Sequence, residues 1–182
     1  ATSTHGAWRP SAGVVNWAGK GQTVLGSLPG GPGEVEAKPL IEAFSSAGLE
    51  PVWSSDGLAT IWKKVLLNIA INPLAALAGV ENGALLEPDL FSSAFSTMLE
   101  GAAVARTERV NVPDDAELEI LLRQVLTATA SNICSMLQDL RAGRNTEIAV
   151  LNQAITARGE RAGIATPLNQ MLTSMIKALH PQ

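Results

Sequence analysis

At Asp56 the sequence changes its period, and no other feature constrains the fold as much. Residues 1–55 hold nine of the sixteen glycines and five of the ten prolines, interleaved with short β-branched runs such as Gly13-Val14-Val15 and Thr23-Val24-Leu25. That mixture reads as short strands joined by turns. Ser27-Leu28-Pro29-Gly30-Gly31-Pro32-Gly33 has the chemistry of a loop. Residues 34–47 carry one helical pattern through Val35, Leu40, Ile41 and Phe44, closed by Gly48, and Pro51-Val52-Trp53 reads as a further strand. So few strands cannot bury both faces of a sheet, so strand, strand, helix, strand is expected to be the tail of an α/β layer whose partner segment is missing. The start at Ala1, without an initiator methionine and inside what reads as a β segment, carries the same expectation of a fragment or processed product.

From Asp56 to the end, apolar residues recur every 3.6 positions. Helices are expected over roughly 58–79, 88–110, 114–141, 146–161 and 167–179. Asp114 and Asp115 follow Pro113 as first-turn acids, Gly143 lies just past a helix carrying Arg141, and Thr166-Pro167 reads as an N-cap followed by a first-turn proline. The expected fold is mainly α, with residues 56–182 as an all-helical domain and residues 1–55 as the end of an α/β domain.

Composition removes several function classes. Apolar residues make up 46% and charged residues 16%, with a mean hydropathy of +0.17, too apolar for a disordered chain. No apolar run is expected to reach the ~18 residues of a spanning helix, and the first twenty residues lack the apolar core of a signal peptide. No membrane role and, by default, a cytoplasmic location are therefore expected. A net charge of −4 and a pI near 5.2 give no electrostatic attraction to nucleic acid. Cys134 is the sole cysteine and His5 and His180 the sole histidines, so no metal site is expected.

Three segments carry candidate chemistry. In Trp62–Leu74, Lys64, Asn68 and Asn72 recur at intervals of four, which places them within ~80° of one another along ~12 Å of helix axis. Val65, Leu66, Leu67, Ile69, Ala70, Ile71 and Leu74 make the rest of that helix apolar, so it should be buried. The stripe is either an edge facing water or the lining of a cleft. Asparagine favours the second reading, because Glu, Gln and Lys are better helix formers on a merely solvated face. Pro73 should kink the helix beside Asn72, since it removes the amide that would bond Ile69. In the second segment, Asn132, Ser135 and Asp139 share a helical face, and Glu147 falls in the first turn after an Asn145-Thr146 cap. Simple alternatives exist here too: capping electrostatics for Glu147, and for Ser135 a hydroxyl bonded back to its own helix. In the third, Glu81-Asn82-Gly83, Asn82 is most simply a turn residue tolerant of left-handed backbone. Cys134 reads as a small core filler, and His5 has no partner that the sequence can name.

Taken in order, Thr4-His5-Gly6-Ala7, Trp62-Lys63-Lys64 with Asn68 and Asn72-Pro73-Leu74, Asn82-Gly83, Ser135-Met136-Leu137-Gln138-Asp139 and Arg144-Asn145-Thr146-Glu147-Ile148 resemble the 2-dehydropantoate 2-reductase, or ketopantoate reductase, family. The resemblance runs through nearly the whole chain. It implies that residues 1–55 are the remnant of a Rossmann-type nucleotide-binding domain and that residues 56–182 form a helical substrate-binding and dimerisation domain. It also implies NADPH-dependent reduction of ketopantoate, a small 2-oxo acid, with a homodimer expected through the helical domain. By the same resemblance Lys64 matches the general acid, Asn68, Asn72, Asn82 and Ser135 match substrate-binding positions, and Ala7 and Glu147 match positions that contact the cofactor. The glycine-rich G-x-G-x-x-G fingerprint of such enzymes is absent from the chain. Ala149 and Gln153 stand where the family pattern has an acid and a glycine, which leaves open the identity of the 2-oxo acid. A non-catalytic recognition or dimerisation module is the alternative.

Overall fold

The computed structural model describes residues 1–179, so His180 lies outside the described residues. Two compact units divide the chain, Ala1–Lys64 and the remainder from Val65.

The first unit contains five short strands where the sequence marked three runs. β1 (Thr2–Ser3) pairs antiparallel with β4 (Thr23–Gly26), and β5 (Val52–Ser54) pairs parallel with β4, Val24 standing opposite both Thr2 and Val52. Between them, β2 (Gly6–Ser11) and β3 (Val14–Gly19) form a separate antiparallel hairpin whose turn uses Gly13 at φ +78°, a backbone conformation open to glycine without steric cost. His5 finds a partner after all: its Nδ1 accepts from the Gly21 amide at 3.1 Å. The connection from β4 to β5 runs through α1 (Glu34–Ser46), ended by Gly48 at φ +76°. No residue of α1 is buried, and Val35 and Leu40 are 85% and 51% exposed.

Helix α2 (Gly57–Ala78) begins one residue after the change of period, with its residues up to Lys64 counted in the first unit and those from Val65 in the second. It passes through Pro73 without a break. Length and composition would let α2 cross a membrane, contrary to the expectation that no such run exists, although half of its apolar window is buried inside the protein. A 3-10 turn (Asn82–Leu86) follows, then α3 (Pro88–Thr107), α4 (Asp115–Ala128), α5 (Ser135–Arg141), a second 3-10 turn (Glu147–Ala149), α6 (Asn152–Ala162) and α7 (Pro167–Leu179). Leu66, Ile69, Met98, Leu118, Leu122, Leu126, Met136, Ile155, Leu172 and Ile176 are almost wholly removed from water, each burial being worth ~1.5–3 kcal/mol relative to exposure.

Two expected helices are divided. The single helix drawn over 114–141 ends at Ala128 and restarts at Ser135, because Asn82 and Gly83 claim main-chain carbonyls of the intervening segment and Cys134 caps a new helix. The helix drawn over 146–161 opens instead as the 3-10 turn and becomes α-helical only at Asn152. Asp114 is the N-cap of α4 rather than a first-turn acid: its Oδ1 accepts from the Glu117 amide at 2.9 Å while the Glu117 carboxylate accepts from the Asp114 amide at 3.0 Å, the reciprocal capping box.

Gly101 in α3 lies directly against side chains of α2. A Cβ there would run into Ile69 Cδ1 and come within 2.9 Å of Leu66 Cδ2, both on α2. Gly101→Val is therefore expected to lower stability by ~1–3 kcal/mol through overpacking, read as a reduced denaturant midpoint with an unchanged slope.

Candidate functional site

The polar stripe of α2 grows more buried along its length. Lys64, the last residue of the first unit, is exposed, and its Nζ donates to the main-chain oxygen of Ser3 on β1 at 2.8 Å. A carbonyl partner fixes the ammonium without neutralising it and leaves its other two protons free to donate. In the second unit, Asn68 is half-buried and Asn72 only 8% exposed. A water-facing edge does not describe Asn72.

Pro73 leaves the carbonyl of Ile69 without its helical donor. The side chain of Asn152, wholly buried at the first position of α6, replaces that donor: its Nδ2 reaches Ile69 O at 3.0 Å. The same Nδ2 donates to Asn169 Oδ1 at 3.0 Å. Asn169, also wholly buried, passes its own amide protons to Thr97 O at 3.2 Å and Glu100 Oε2 at 2.8 Å. Glu100 then accepts from the main-chain amides of Leu168 and Asn169 at 2.9 and 3.0 Å. The α7 amides that Thr166 was expected to cap thus find a carboxylate on α3. Each end of this chain of bonds can only accept, which dictates the orientation of both amides. Sequence reasoning missed Asn152, Asn169 and Glu100; the available signal was the freed Ile69 carbonyl, which obliged some buried donor to exist.

The break between α4 and α5 gathers three of the candidates. Cys134 Sγ donates to Asn72 O and accepts from the Leu137 amide, both at 3.5 Å, so the turn bearing Asn72 is tied to the first turn of the helix that opens on Ser135. Ser135 is exposed. At the first helical position it has no helical carbonyl four residues back, so the self-bonded reading fails, and Asn132 lies before the helix rather than on its face. Asn82 is 8% exposed: its amide donates to Asn132 O at 3.0 Å and its Nδ2 to Thr129 Oγ1 at 3.0 Å, while its Oδ1 is buried with no partner among the described residues. Its backbone is not left-handed, and neither is that of Gly83. A glycine is required at 83 by proximity, since a Cβ there would lie 2.8 Å from Ala130 Cβ and 3.0 Å from Ala130 O. Asn72, Asn82 and Ser135 therefore sit on main-chain segments bonded to one another.

The remaining candidates are not joined to that cluster by any of these bonds. Glu147 is exposed on the 3-10 turn whose Thr146 Oγ1 accepts from the Ile148 amide at 3.5 Å. Ala7 is exposed on β2, opposite Trp17 of the hairpin.

A dinucleotide's pyrophosphate needs free amides at a glycine-rich turn entering a helix. Among the described residues, Gly30–Gly33 leading into α1 has that order, but Glu36 Oε2 already accepts from the Gly33 amide at 2.7 Å and Glu34 adds a second acid to the first turn. Two carboxylates there repel phosphate, so the turn does not fit that group.

Residues 56–180 match the family model described as "Ketopantoate reductase PanE/ApbA C terminal". The chain is 37% identical to the 2-dehydropantoate 2-reductase of Halobacterium salinarum, with 97% of this chain and 57% of that protein covered, and 35% identical to the enzyme of the same name from Vibrio cholerae, with 98% and 60% covered. It spans little more than half the length of these relatives. Among solved structures, the ketopantoate reductase of Ralstonia eutropha JMP134 superposes with a TM-score of 0.86 at 28% identity, covering 98% of this chain and 58% of that one. A D-mandelate dehydrogenase with NADH and anilino(oxo)acetate superposes at 0.89, also at 28% identity with 98% and 58% covered.

Burial pushes the Cys134 thiol above its ordinary range, against weaker opposition from the Leu137, Met136 and Cys134 amides and from Arg141, so the thiol stays protonated at neutral pH and is no nucleophile. Because the unfolded thiol ionises near ~8.5 while the folded one resists, its contribution to stability is constant below that pH and falls as pH rises through it. Ellman's reagent should react with the native protein far more slowly than with urea-unfolded protein. The urea midpoint of wild type should drop more between pH ~8 and ~10 than that of Cys134→Ala.

Proposed function

The chain belongs to the ketopantoate reductase family, and from that premise we propose that it is the substrate-side portion of an NADPH-dependent 2-dehydropantoate 2-reductase, acting in the cytoplasm on a small 2-oxo acid. The observation that carries this reading is the buried Asn72, whose turn is tied through Cys134 to the helix that opens on Ser135. Neutral amides and a hydroxyl can hold a substrate carboxylate and hydroxyl without burying an unpaired charge. In this proposal Asn68, Asn72, Asn82 and Ser135 bind the substrate.

Reduction of a 2-oxo acid turns its carbonyl oxygen into an alkoxide that must be stabilised and protonated. Lys64 is the group assigned to do both, because a lysine side chain offers three donor protons and only one of them is directed at the Ser3 carbonyl. Ala7 and Glu147 are assigned to the nicotinamide cofactor. Since the turn into α1 does not fit a pyrophosphate, that end of the cofactor is assigned to the additional length that the relatives possess. On this basis residues 1–55 are the remnant of the nucleotide-binding domain, and residues 56–182 the substrate-binding and dimerisation domain. The exposed stripe of Met171, Met175 and Leu179 along α7 supports a homodimer, to be checked by sedimentation of the full-length protein. The likeness to a D-mandelate dehydrogenase bound to NADH supports a second reading, a reductase for another 2-oxo acid. Comparing kcat/KM of the full-length protein for ketopantoate and for an aromatic 2-oxo acid, with NADPH and with NADH, separates the two.

In that protein Lys64→Ala is expected to cost ~10²–10⁴ in kcat. Lys64→Arg keeps the charge but not a transferable proton, so it should restore binding more than turnover. An arginine variant with wild-type kcat and pH profile would remove Lys64 as the acid. Asn72→Ala and Ser135→Ala should each raise KM for the 2-oxo acid by an amount equivalent to ~1–3 kcal/mol while leaving the Kd for NADPH near its original value.

A further inference from the structure

We infer that Asn152 is a positioning residue for substrate binding: it acts on the 2-oxo acid through α2, by replacing the donor that Pro73 removes and so setting the turn that carries Asn72. The inference rests on the reading of Asn72 as a substrate ligand. Its physical basis lies within the second unit. A proline inside a helix leaves one carbonyl four residues earlier without a donor. Here that carbonyl belongs to Ile69, a residue of 0% exposure, where water cannot take the place of the lost bond. Asn152 Nδ2 supplies the bond at 3.0 Å from eighty-three positions away in sequence.

Three features make this a specific device rather than general packing. Asn152 has no exposure, so its amide has no alternative in solvent. Both described bonds of its side chain leave from Nδ2, one to Ile69 O and one to Asn169 Oδ1, while Oδ1 has no partner among the described residues. The side chain is thus held entirely by what it donates. Finally, Asn169 and Glu100 anchor it to α7 and α3, so the position of Ile69 O is referred to two other helices. Asn72 is the residue immediately before Pro73, and its own carbonyl is held by Cys134, at the N-cap of α5 rather than on α6. The turn 69–73 is therefore clamped at Ile69 O by Asn152 and at Asn72 O by Cys134. Releasing the first clamp lets that turn relax, and small displacements of a positioning turn are enough to lose substrate affinity.

The decisive experiment exploits the origin of the defect. Pro73→Ala restores an amide at residue 73 that can bond Ile69 O directly, so it should make Asn152 dispensable. In the full-length protein, KM for ketopantoate, kcat, KM for NADPH and thermal midpoint are measured for wild type, Asn72→Ala, Asn152→Ala, Pro73→Ala and the Pro73→Ala, Asn152→Ala pair. Asn152→Ala is expected to raise KM for ketopantoate at least ~10-fold while kcat and KM for NADPH stay within ~3-fold, and the paired variant should return to within ~3-fold of Pro73→Ala alone. A lowered thermal midpoint in Asn152→Ala with KM unchanged would make the residue purely structural and overturn the inference. So would a paired variant that keeps the ~10-fold penalty relative to Pro73→Ala. If Asn152→Ala does not fold, the comparison of Pro73→Ala with the paired variant still decides, and failure of the paired variant to fold also overturns the inference by making Asn152 a folding residue. Asn72→Ala separates this failure from that of the underlying reading: if it raises KM while Asn152→Ala does not, only the positioning role falls. If it leaves KM unchanged, the assignment of Asn72 to the substrate falls as well.

Discussion

One missing amide organises the helical unit. Pro73 takes a hydrogen-bond donor out of the most apolar helix, and the Ile69 carbonyl left behind has no access to water. An unpaired buried carbonyl costs ~1–3 kcal/mol, a substantial share of the ~5–15 kcal/mol that holds an ordinary domain together. The structure offsets that cost by threading Asn152, Asn169 and Glu100 through the core, each satisfying the next. Because the bonds run from α6 to α2, from α7 to α3, and between α6 and α7, they fix the register of four helices that apolar contact alone would allow to slide. A nondirectional core sets how tightly these helices pack; the amide relay sets where along their lengths they meet.

The same reasoning explains what was legible in the sequence. Helical periodicity located α2, α3 and α7 to within a few residues because their buried faces repeat regularly, as with Leu172 and Ile176 on α7. Gly48, Gly143 and Gly163 mark helix ends by their positive φ values, although of these only the first two were read as such. The break at 129–134 left no such mark. Leu126 and Met136 are both buried and the stretch between them lacks glycine and proline, so a continuous helix is the natural local reading. What ends α4 is remote: the amides of Asn82 and Gly83 bond to Asn132 O and Ala130 O, and the close approach of Gly83 to Ala130 admits no side chain. A long-range pairing of that kind carries no local period.

The candidate site shows the same division. Spacing alone brought Lys64, Asn68 and Asn72 onto one face of a helix, and the structure adds that Asn72 is buried. Spacing could not bring Ser135 to Asn72, since that link runs through a thiol sixty-two positions away, and it could not distinguish Asn132, in the loop, from Ser135, on the helix. The resemblance to a known family supplied what geometry did not, namely roles for Ala7 and Glu147, which are both exposed.

Small polar residues at a break are a reasonable way to build such a site. A continuous rod through 114–141 would have carried Ser135 mid-helix, where its hydroxyl could turn back onto the carbonyl four residues earlier and be lost to a ligand. Starting α5 at Ser135 removes that competing acceptor. Pro73 performs the related service on α2, because an asparagine followed by proline sits in a turn whose backbone bonds are completed from outside the helix and whose position other elements can therefore adjust. Both devices exchange regular local bonding for dependence on distant partners, Asn152 in one case and Asn82 with Cys134 in the other. The geometry presented to a small ligand is then set by tertiary structure rather than by the helix that carries the side chain.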